Sequence, residues 1–391
     1  MNNAASIEEE FRRRYPDQPL LVRSPGRVNL IGEHTDYNMG FVLPAAIDRA
    51  MYFAIARRAD RRCRMHAVDV GEDHECALDD LRRSDRGWPN YLMGVVDQLL
   101  REGHRPGGFN CVFGGDVPIG AGVSSSAALE AGLAFGLNRL FALGMSDLEI
   151  VQLAQKAENE FVGVRCGIMD QYANVFGRKN HVLRIDCRSL EHVYSPFDSR
   201  TASIVLFNSG VSHSLASSEY NRRREECSDG VAVIQKRHPE VAALRDASAA
   251  MVEESAQSMP GAVYRRCRYV VEENARVLRA GALLAEGDLR AFGALLWQTH
   301  DGLRGLYEVS CAELDYLVDA VREDAAVYGA RLMGAGFGGC TINVVRADAV
   351  EDVAGRTAER YRGEFNIDLE TYVMSIGSGT SQLTARMSVA R

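Results

Sequence analysis

The stretch Asp116-Val117-Pro118-Ile119-Gly120-Ala121-Gly122-Val123-Ser124-Ser125-Ser126-Ala127-Ala128 constrains this chain more than any other. It runs straight into Leu129, Leu133, Leu137 and Leu140, whose spacings of four, four and three make the stripe of an amphipathic helix. A loop of small residues lets its backbone approach a ligand closely, and a helix N-terminus turns free N–H groups and partial positive charge toward it. Phosphate is the natural guest. The plainer use of the serines is to cap the helix, but one would suffice for that, and three in succession after two glycines favour the anion.

This is not a Walker A loop, which needs Gly-Lys-Ser/Thr: the only lysines are Lys156, Lys179 and Lys236, and none follows a glycine. All the other cations among the 45 Lys+Arg residues are arginine, so a nucleotide held here is held without the P-loop cation. Against 53 Asp+Glu they leave a formal net charge of -8, which argues against nucleic-acid binding, because neutralising phosphates takes a basic face. With 391 residues, 46% of them hydrophobic and 25% charged, the chain can build two globular domains of ordinary size or one large one. Nine scattered cysteines without a C-x-x-C pair read as mostly buried free thiols in a reducing compartment, not as a zinc site or a disulfide framework. Glu8 to Glu10 and Arg12 to Arg14 stand where a secretory signal would be apolar, and no run reaches the roughly 18 apolar residues of a membrane span. A cytoplasmic protein without membrane contact is expected.

Residues 20–23 and 41–47 are apolar runs, the first ended by Ser24-Pro25-Gly26, so the chain opens as strand, loop, strand. After the serine-led helix, Ser146 and Glu149 fit a capping box for a second one, with Ile150, Ala154, Ala157 and Phe161 on one face until Gly163 stops it and Glu158 beside that face. Residues 181–185 and 203–207 read as strands. Between them the turn-rich stretch 186–202, with Pro196, is the candidate boundary between domains 1–200 and 201–391. Helices are expected around Tyr220 and at 262–280, 289–303 and 312–321, and a strand at 341–345. The charged run Arg222 to Glu226 reads as a solvated helix face.

Three further clusters stand out. Gly334-Ala335-Gly336-Phe337-Gly338-Gly339 satisfies G-x-G-x-x-G, but it runs into a strand where a dinucleotide fingerprint would open a helix. It reads as a turn packed against another loop or a ligand, or as a structural turn only. Arg27 to Asn38 crowds polar groups between two apolar strands, where Glu33, His34 and Asp36 suit several hydroxyls of a sugar or polyol, unless the segment is a solvated turn. In Cys166-Gly167-Ile168-Met169-Asp170-Gln171 an aspartate follows a small apolar run, as a cap, a turn residue or a catalytic group.

Together these residues match a known pattern. Gly26-Arg27-Val28-Asn29-Leu30-Ile31-Gly32-Glu33-His34-Thr35-Asp36-Tyr37-Asn38 resembles the galactokinase signature, residues 118–127 resemble the phosphate loop of the GHMP class of small-molecule kinases, and Gly334 to Gly339 resembles its third motif. Ala157-Glu158, the segment ending in Asp170-Gln171, and His213-Ser214-Leu215-Ala216-Ser217-Ser218-Glu219-Tyr220-Asn221 are also similar to galactokinase segments. The resemblance runs from about Arg23 to Val345 with the motifs in family order. It departs at Met39, where glycine is usual, at Arg165, where proline is common, and at Met93, where lysine is common.

The resemblance implies an α+β two-domain GHMP kinase, with an N-terminal domain of the ribosomal protein S5 domain 2-like type, a C-terminal ferredoxin-like domain, and the active site in the cleft between them. It implies ATP-dependent phosphorylation of D-galactose at the anomeric hydroxyl, giving galactose 1-phosphate and ADP, the entry step of galactose catabolism. Asp170 matches the aspartate that takes or orients the hydroxyl proton, and Arg27 the arginine paired with it. Glu33, His34, Asp36, Gly167 and Tyr220 match sugar-binding positions, Gly120, Gly122, Ser124 and Ser125 the nucleotide phosphates, Ser126 and Glu158 the Mg2+ ligands, and Trp88 a residue near the adenine. A monomer is expected. The alternatives are a GHMP kinase for N-acetylgalactosamine or arabinose and a non-catalytic galactose sensor; intact Ser217 to Tyr220 favours galactose, and intact Ser124 to Ala128 with Asp170 favours catalysis.

Overall fold

The computed structural model describes residues 2–118, 120–212 and 216–384; Ile119 of the phosphate loop and His213-Ser214-Leu215 of the Tyr220 segment lie outside the described residues. In chain order the strands are β1 (Leu20–Asn29), β2 (Phe41–Val42), β3 (Pro44–Arg57), β4 (Arg62–Ala67), β5 (Glu72–Ala77), β6 (Phe109–Gly115), β7 (His181–Asp186), β8 (His192–Pro196), β9 (Ala202–Ser212), β10 (Val327–Leu332), β11 (Gly338–Arg346), β12 (Glu370–Met374) and β13 (Ser381–Leu383). They form a six-stranded sheet in the order β13-β1-β3-β6-β4-β5, a four-stranded sheet in the order β10-β11-β9-β12, and a three-stranded sheet in the order β2-β7-β8.

Ser24-Pro25-Gly26, read above as the end of a strand, lies inside β1. A register shift between Pro25 and Arg27 takes up the proline without breaking the pairing to β3. Gly26 is required there by proximity: a Cβ would come within 2.7 Å of the Val123 carbonyl, the same oxygen that accepts from the Arg27 N–H at 3.0 Å. The phosphate loop therefore rests on the strand that carries Arg27. The helix that follows it, Ser125–Phe141, is buried from Ala127 to Asn138 and packs Leu133 and Leu137 into one core with Val22, Phe53 and Ile55.

The capping box of Ser146 and Glu149 forms as expected, and its helix Asp147–Lys156 then widens into a π-helical turn, Ala157–Val162, before Gly163 ends it at φ 95°. Such widenings are frequent at functional sites, and this one carries Glu158. The stretch after Asp186 is not all turn: it holds β8, which ends at Pro196, where a missing N–H no longer interrupts a ladder. The charged run 222–226 is only in part the solvated face expected: Arg222 and Glu225 are exposed. Arg223 and Glu226 are buried because their helix, Ala216–Ile234, packs on Gly261–Glu286; Arg223 donates to the carbonyls of Tyr307 and Glu308, each at 2.8 Å, and Glu226 accepts from Arg266 at 2.9 Å.

In the second sheet β9 and β11 lie between β10 and β12, all pairs antiparallel, with helices connecting β9 to β10 and Val350–Phe365 connecting β11 to β12. This is the ferredoxin-like arrangement, expanded by helices in its first crossover. The last strand, β13, leaves that sheet and pairs with β1 on the other.

Met39 adopts the left-handed conformation, φ 59°, at the end of the turn Asp36–Asn38, with its side chain 46% exposed. A side chain in that region is strained and this one is not fully buried, which accounts for the usual glycine. Met39→Gly is expected to raise the unfolding free energy by up to about 1 kcal/mol, read from a denaturant melt, with the turn retained.

Candidate active site

Arg27, 6% exposed, points its guanidinium at Asp170, with Nε 2.7 Å from Oδ1 and Nη2 2.9 Å from Oδ2. Asp170 stands in the first turn of the helix Met169–Phe176, where an anion is favoured. Arg27 Nη1 also donates to the Gly122 carbonyl, and the Ser124 hydroxyl donates to Asp170 Oδ2. Ser124 is itself left-handed, at φ 58°, and does not cap its helix. The capping reading of the first serine therefore fails, and the loop, the arginine and the aspartate form one bonded unit. Ser126 bonds Glu158, to which Gln171 Nε2 donates at 2.7 Å.

On the other side of Asp170 lie the polar residues that follow β1. Glu33, 3% exposed, accepts from Arg331 Nη1 at 3.0 Å and from the Gly334 N–H at 2.9 Å. His34 is held at φ 63° with Nε2 3.2 Å from the Ala335 carbonyl and Nδ1 2.8 Å from the Tyr37 hydroxyl. A carbonyl only accepts, so Nε2 carries the proton and Nδ1 takes one from Tyr37, whose oxygen then accepts from Tyr307 at 2.7 Å. Burial lowers the His34 pKa to about 4 and keeps the ring neutral. Burial, and next the charge of Asp170, raise Asp36 to about 7. A Cβ on Gly167 would lie 1.8 Å from Asp36 Oδ2, so only glycine fits beside that carboxyl.

Arg27, Glu33, His34, Asp36, Glu158, Gly167, Asp170 and Tyr220 line one cavity of about 370 Å3. Gly334 and Ala335 complete its wall, so the third glycine motif packs on the sugar-type cluster, as its first reading expected. Ser124, Ser126 and Gly122 touch cavity residues through the bonds given above without lining it; Gly120 is exposed, and Ser125 opens the loop helix. Trp88 stands apart from the cavity, its Nε1 donating to Glu72 at 2.9 Å and its ring 5.4 Å from that of Phe113. Met93 is buried and Arg165 exposed, the latter accepting from Arg224 through its carbonyl.

The hydroxyl of Ser126 and the carboxylate of Glu158 are hard oxygen donors, a set that suits Mg2+ completing its shell with water and phosphate. No cluster of three or more His, Cys, Asp or Glu able to hold a metal occurs among the described residues. Burial, followed by the nearby charge of Asp170, raises Glu158 above the usual carboxylate range, a cost that a cation there would offset.

Two residues escaped the sequence reading. Arg331, completely buried, donates to Glu33 and to the carbonyls of Leu30, Asn29 and Leu332; its signal is a lone charge in the otherwise uncharged β10. Glu130, buried in the loop helix, is pushed well above the usual range by burial and then by Glu158; nothing in its spacing marked it.

A model of the galactokinase galactose-binding signature matches residues 9–57, and models of the GHMP kinases N terminal domain and GHMP kinases C terminal match 90–178 and 281–363. A galactokinase of Roseiflexus sp. (strain RS-1) is 42% identical over 384 residues, covering 98% of each chain. The chain belongs to the galactokinase family. A galactokinase of Bacillus subtilis (strain 168) is 38% identical over 92% of this chain and 93% of its own. Among solved structures, Lactococcus lactis galactokinase complexed with galactose aligns with a TM-score of 0.93 at 34% identity, over 97% of this chain and 99% of that one. A mevalonate kinase, 19% identical with a TM-score of 0.62 over 91% of this chain, shares the fold. The α+β two-domain GHMP kinase fold expected from the motifs is thus the fold of this galactokinase-family chain. Among the described residues no helix is long and apolar enough to cross a membrane.

Arg331→Met should remove the buried cation from Glu33 and lower the unfolding free energy by about 3–5 kcal/mol in a denaturant titration. A loss below about 1 kcal/mol would mean that Glu33 finds another partner or a proton.

Proposed function

We propose that this galactokinase-family enzyme transfers the γ-phosphoryl group of ATP to the anomeric hydroxyl of D-galactose, giving galactose 1-phosphate and ADP. The observation that carries the reading is the bonded unit of Arg27, Asp170 and Ser124, which joins a glycine-serine loop at a helix N-terminus to a cavity lined with hydroxyl-binding groups. Phosphoryl transfer depends chiefly on alignment and charge neutralisation, and both ends of that alignment meet at Asp170.

In this reading Glu33, His34, Asp36 and Tyr220 hold the sugar hydroxyls, and the Gly167 backbone lies beside them. Glu33 already has protein partners that fix its orientation and keeps acceptor positions free, whereas both ring nitrogens of neutral His34 are engaged by Ala335 and Tyr37, so His34 takes a sugar hydroxyl by exchanging one of these bonds for it. Of the four acceptor positions on an ionised Asp170, Arg27 and Ser124 occupy three, which leaves one on Oδ1 for the anomeric hydroxyl. Asp170 orients that hydroxyl and receives its proton, while Arg27 balances the charge that gathers as the phosphoryl group arrives. Gly120, Gly122, Ser124 and Ser125 form the cradle for the nucleotide phosphates, and Trp88 is assigned to the adenine side. Mg2+ held by Ser126 and Glu158 would neutralise phosphate charge. A monomer in the cytoplasm, divided near residue 200 with β13 returned to the first domain, belongs to the same proposal.

Asp170→Asn should lower kcat by about 10²–10⁴-fold while ATP binding, followed by calorimetry, persists. Arg27→Lys should also impair turnover, because the two-pronged contact is lost although the charge is kept. A coupled ADP-release assay over a panel of sugars tests the substrate; no turnover with galactose while another sugar reacts well would overturn it.

Asp36 predicts a pH effect. With its carboxyl raised to about 7, it is ionised above that pH and accepts sugar hydroxyls, and it is protonated below it. The kcat/KM for galactose should therefore fall as pH drops through about 7, approaching tenfold per unit, and Asp36→Asn should flatten that limb at a lower level.

A further inference from the structure

Two of the nine cysteines face each other. Cys63 on β4 and Cys76 on β5 are direct register partners whose side chains influence each other across the strands, and both are free. Opposed residues in an antiparallel pair have Cα atoms about 4.5–5.5 Å apart, inside the roughly 4.4–6.8 Å that a disulfide spans. The two differ in access. Cys63 is completely buried, whereas Cys76 is partly exposed and lines a cavity of about 360 Å3 together with Arg62, His74 and Glu75. Contact with Cys63 and the charge of Arg62 lower the Cys76 thiol below its usual range; the same contact, with burial, raises Cys63.

We propose that Cys76 and Cys63 are a reversible redox pair, with Cys76 the residue that meets a peroxide and Cys63 the residue that resolves it. The Cys76 thiolate attacks one oxygen of hydrogen peroxide; the O–O bond breaks, a sulfenic acid forms, and the departing hydroxide takes a proton to become water. The Cys63 sulfur then attacks the Cys76 sulfur; the S–O bond breaks, and a second water leaves with the Cys63 proton. Two thiols lose two electrons to one peroxide and end as one cross-strand disulfide. A small dithiol reverses the reaction by exchange. Other reachable thiols are less well placed. Cys111 on β6 pairs with Met65, two positions along β4 from Cys63, and is completely buried.

The bond would fix the edge strand β5 to its neighbour. β5 also carries Glu72, which holds the Trp88 indole, and His74, which lies 3.3 Å from Met93 Sδ on the helix Gly87–Arg101.

The test is non-reducing peptide mapping of the full chain after treatment with a few equivalents of hydrogen peroxide. The expected result is a linked Cys63–Cys76 peptide, loss of two titratable thiols, and recovery of both with dithiothreitol. In Cys63→Ser, peroxide should leave Cys76 as a sulfenic acid trapped by dimedone, and in Cys76→Ser neither product should form. The wild-type measurement stands even if a variant folds poorly. Failure to find the linked peptide, or linkage of Cys63 to Cys111 instead, would overturn the proposal.

Discussion

The two-pronged contact between Arg27 and Asp170 organises this molecule. It joins residues 143 positions apart, brings β1 against the helix Met169–Phe176, and with Ser124 ties the phosphate loop to both. A guanidinium buried to this degree is tolerable only with its donors satisfied, and here the carboxylate and the Gly122 carbonyl satisfy them. Geometry around Asp170 is thus set by the same contacts that compensate a buried charge. Any movement of the loop must therefore be felt at the aspartate.

Arg331 plays the equivalent part for Glu33 and the residues beside it. It crosses from β10 to the carbonyls of Asn29 and Leu30 at the end of β1 and to Glu33, so the C-terminal sheet and the polar segment after β1 are held by one fully desolvated fork. The Gly334 N–H and the Ala335 carbonyl add direct backbone contacts to Glu33 and His34. The cavity is consequently a property of both sheets.

How much of this was legible in the sequence depended on whether the controlling interaction was local. The capping box at Ser146, the helix after Ser125 and the strand after the third glycine motif each follow from spacing within a few residues, and each formed. The site residues could be grouped by resemblance because their motifs are contiguous. What could not be read was set at long range. Arg223 and Glu226 look solvated along the chain and are buried only because a helix some forty residues further on supplies Arg266. Pro25 looks like a strand end because the bulge that accommodates it depends on pairing with β3. The π-helical widening at Glu158 and the burial of Glu130 have no signature in composition or period, since both arise where the helices meet.

The return of β13 to β1 also bears on how the enzyme is made. The strand that carries Arg27 has β3 on one side, formed early in the chain, but its second neighbour is Ser381–Leu383. On the ribosome that edge stays open until Ser381–Leu383 have been synthesised. The first sheet can gather its core as it emerges, yet the strand bearing Arg27 gains its second neighbour only after Leu383 has been added.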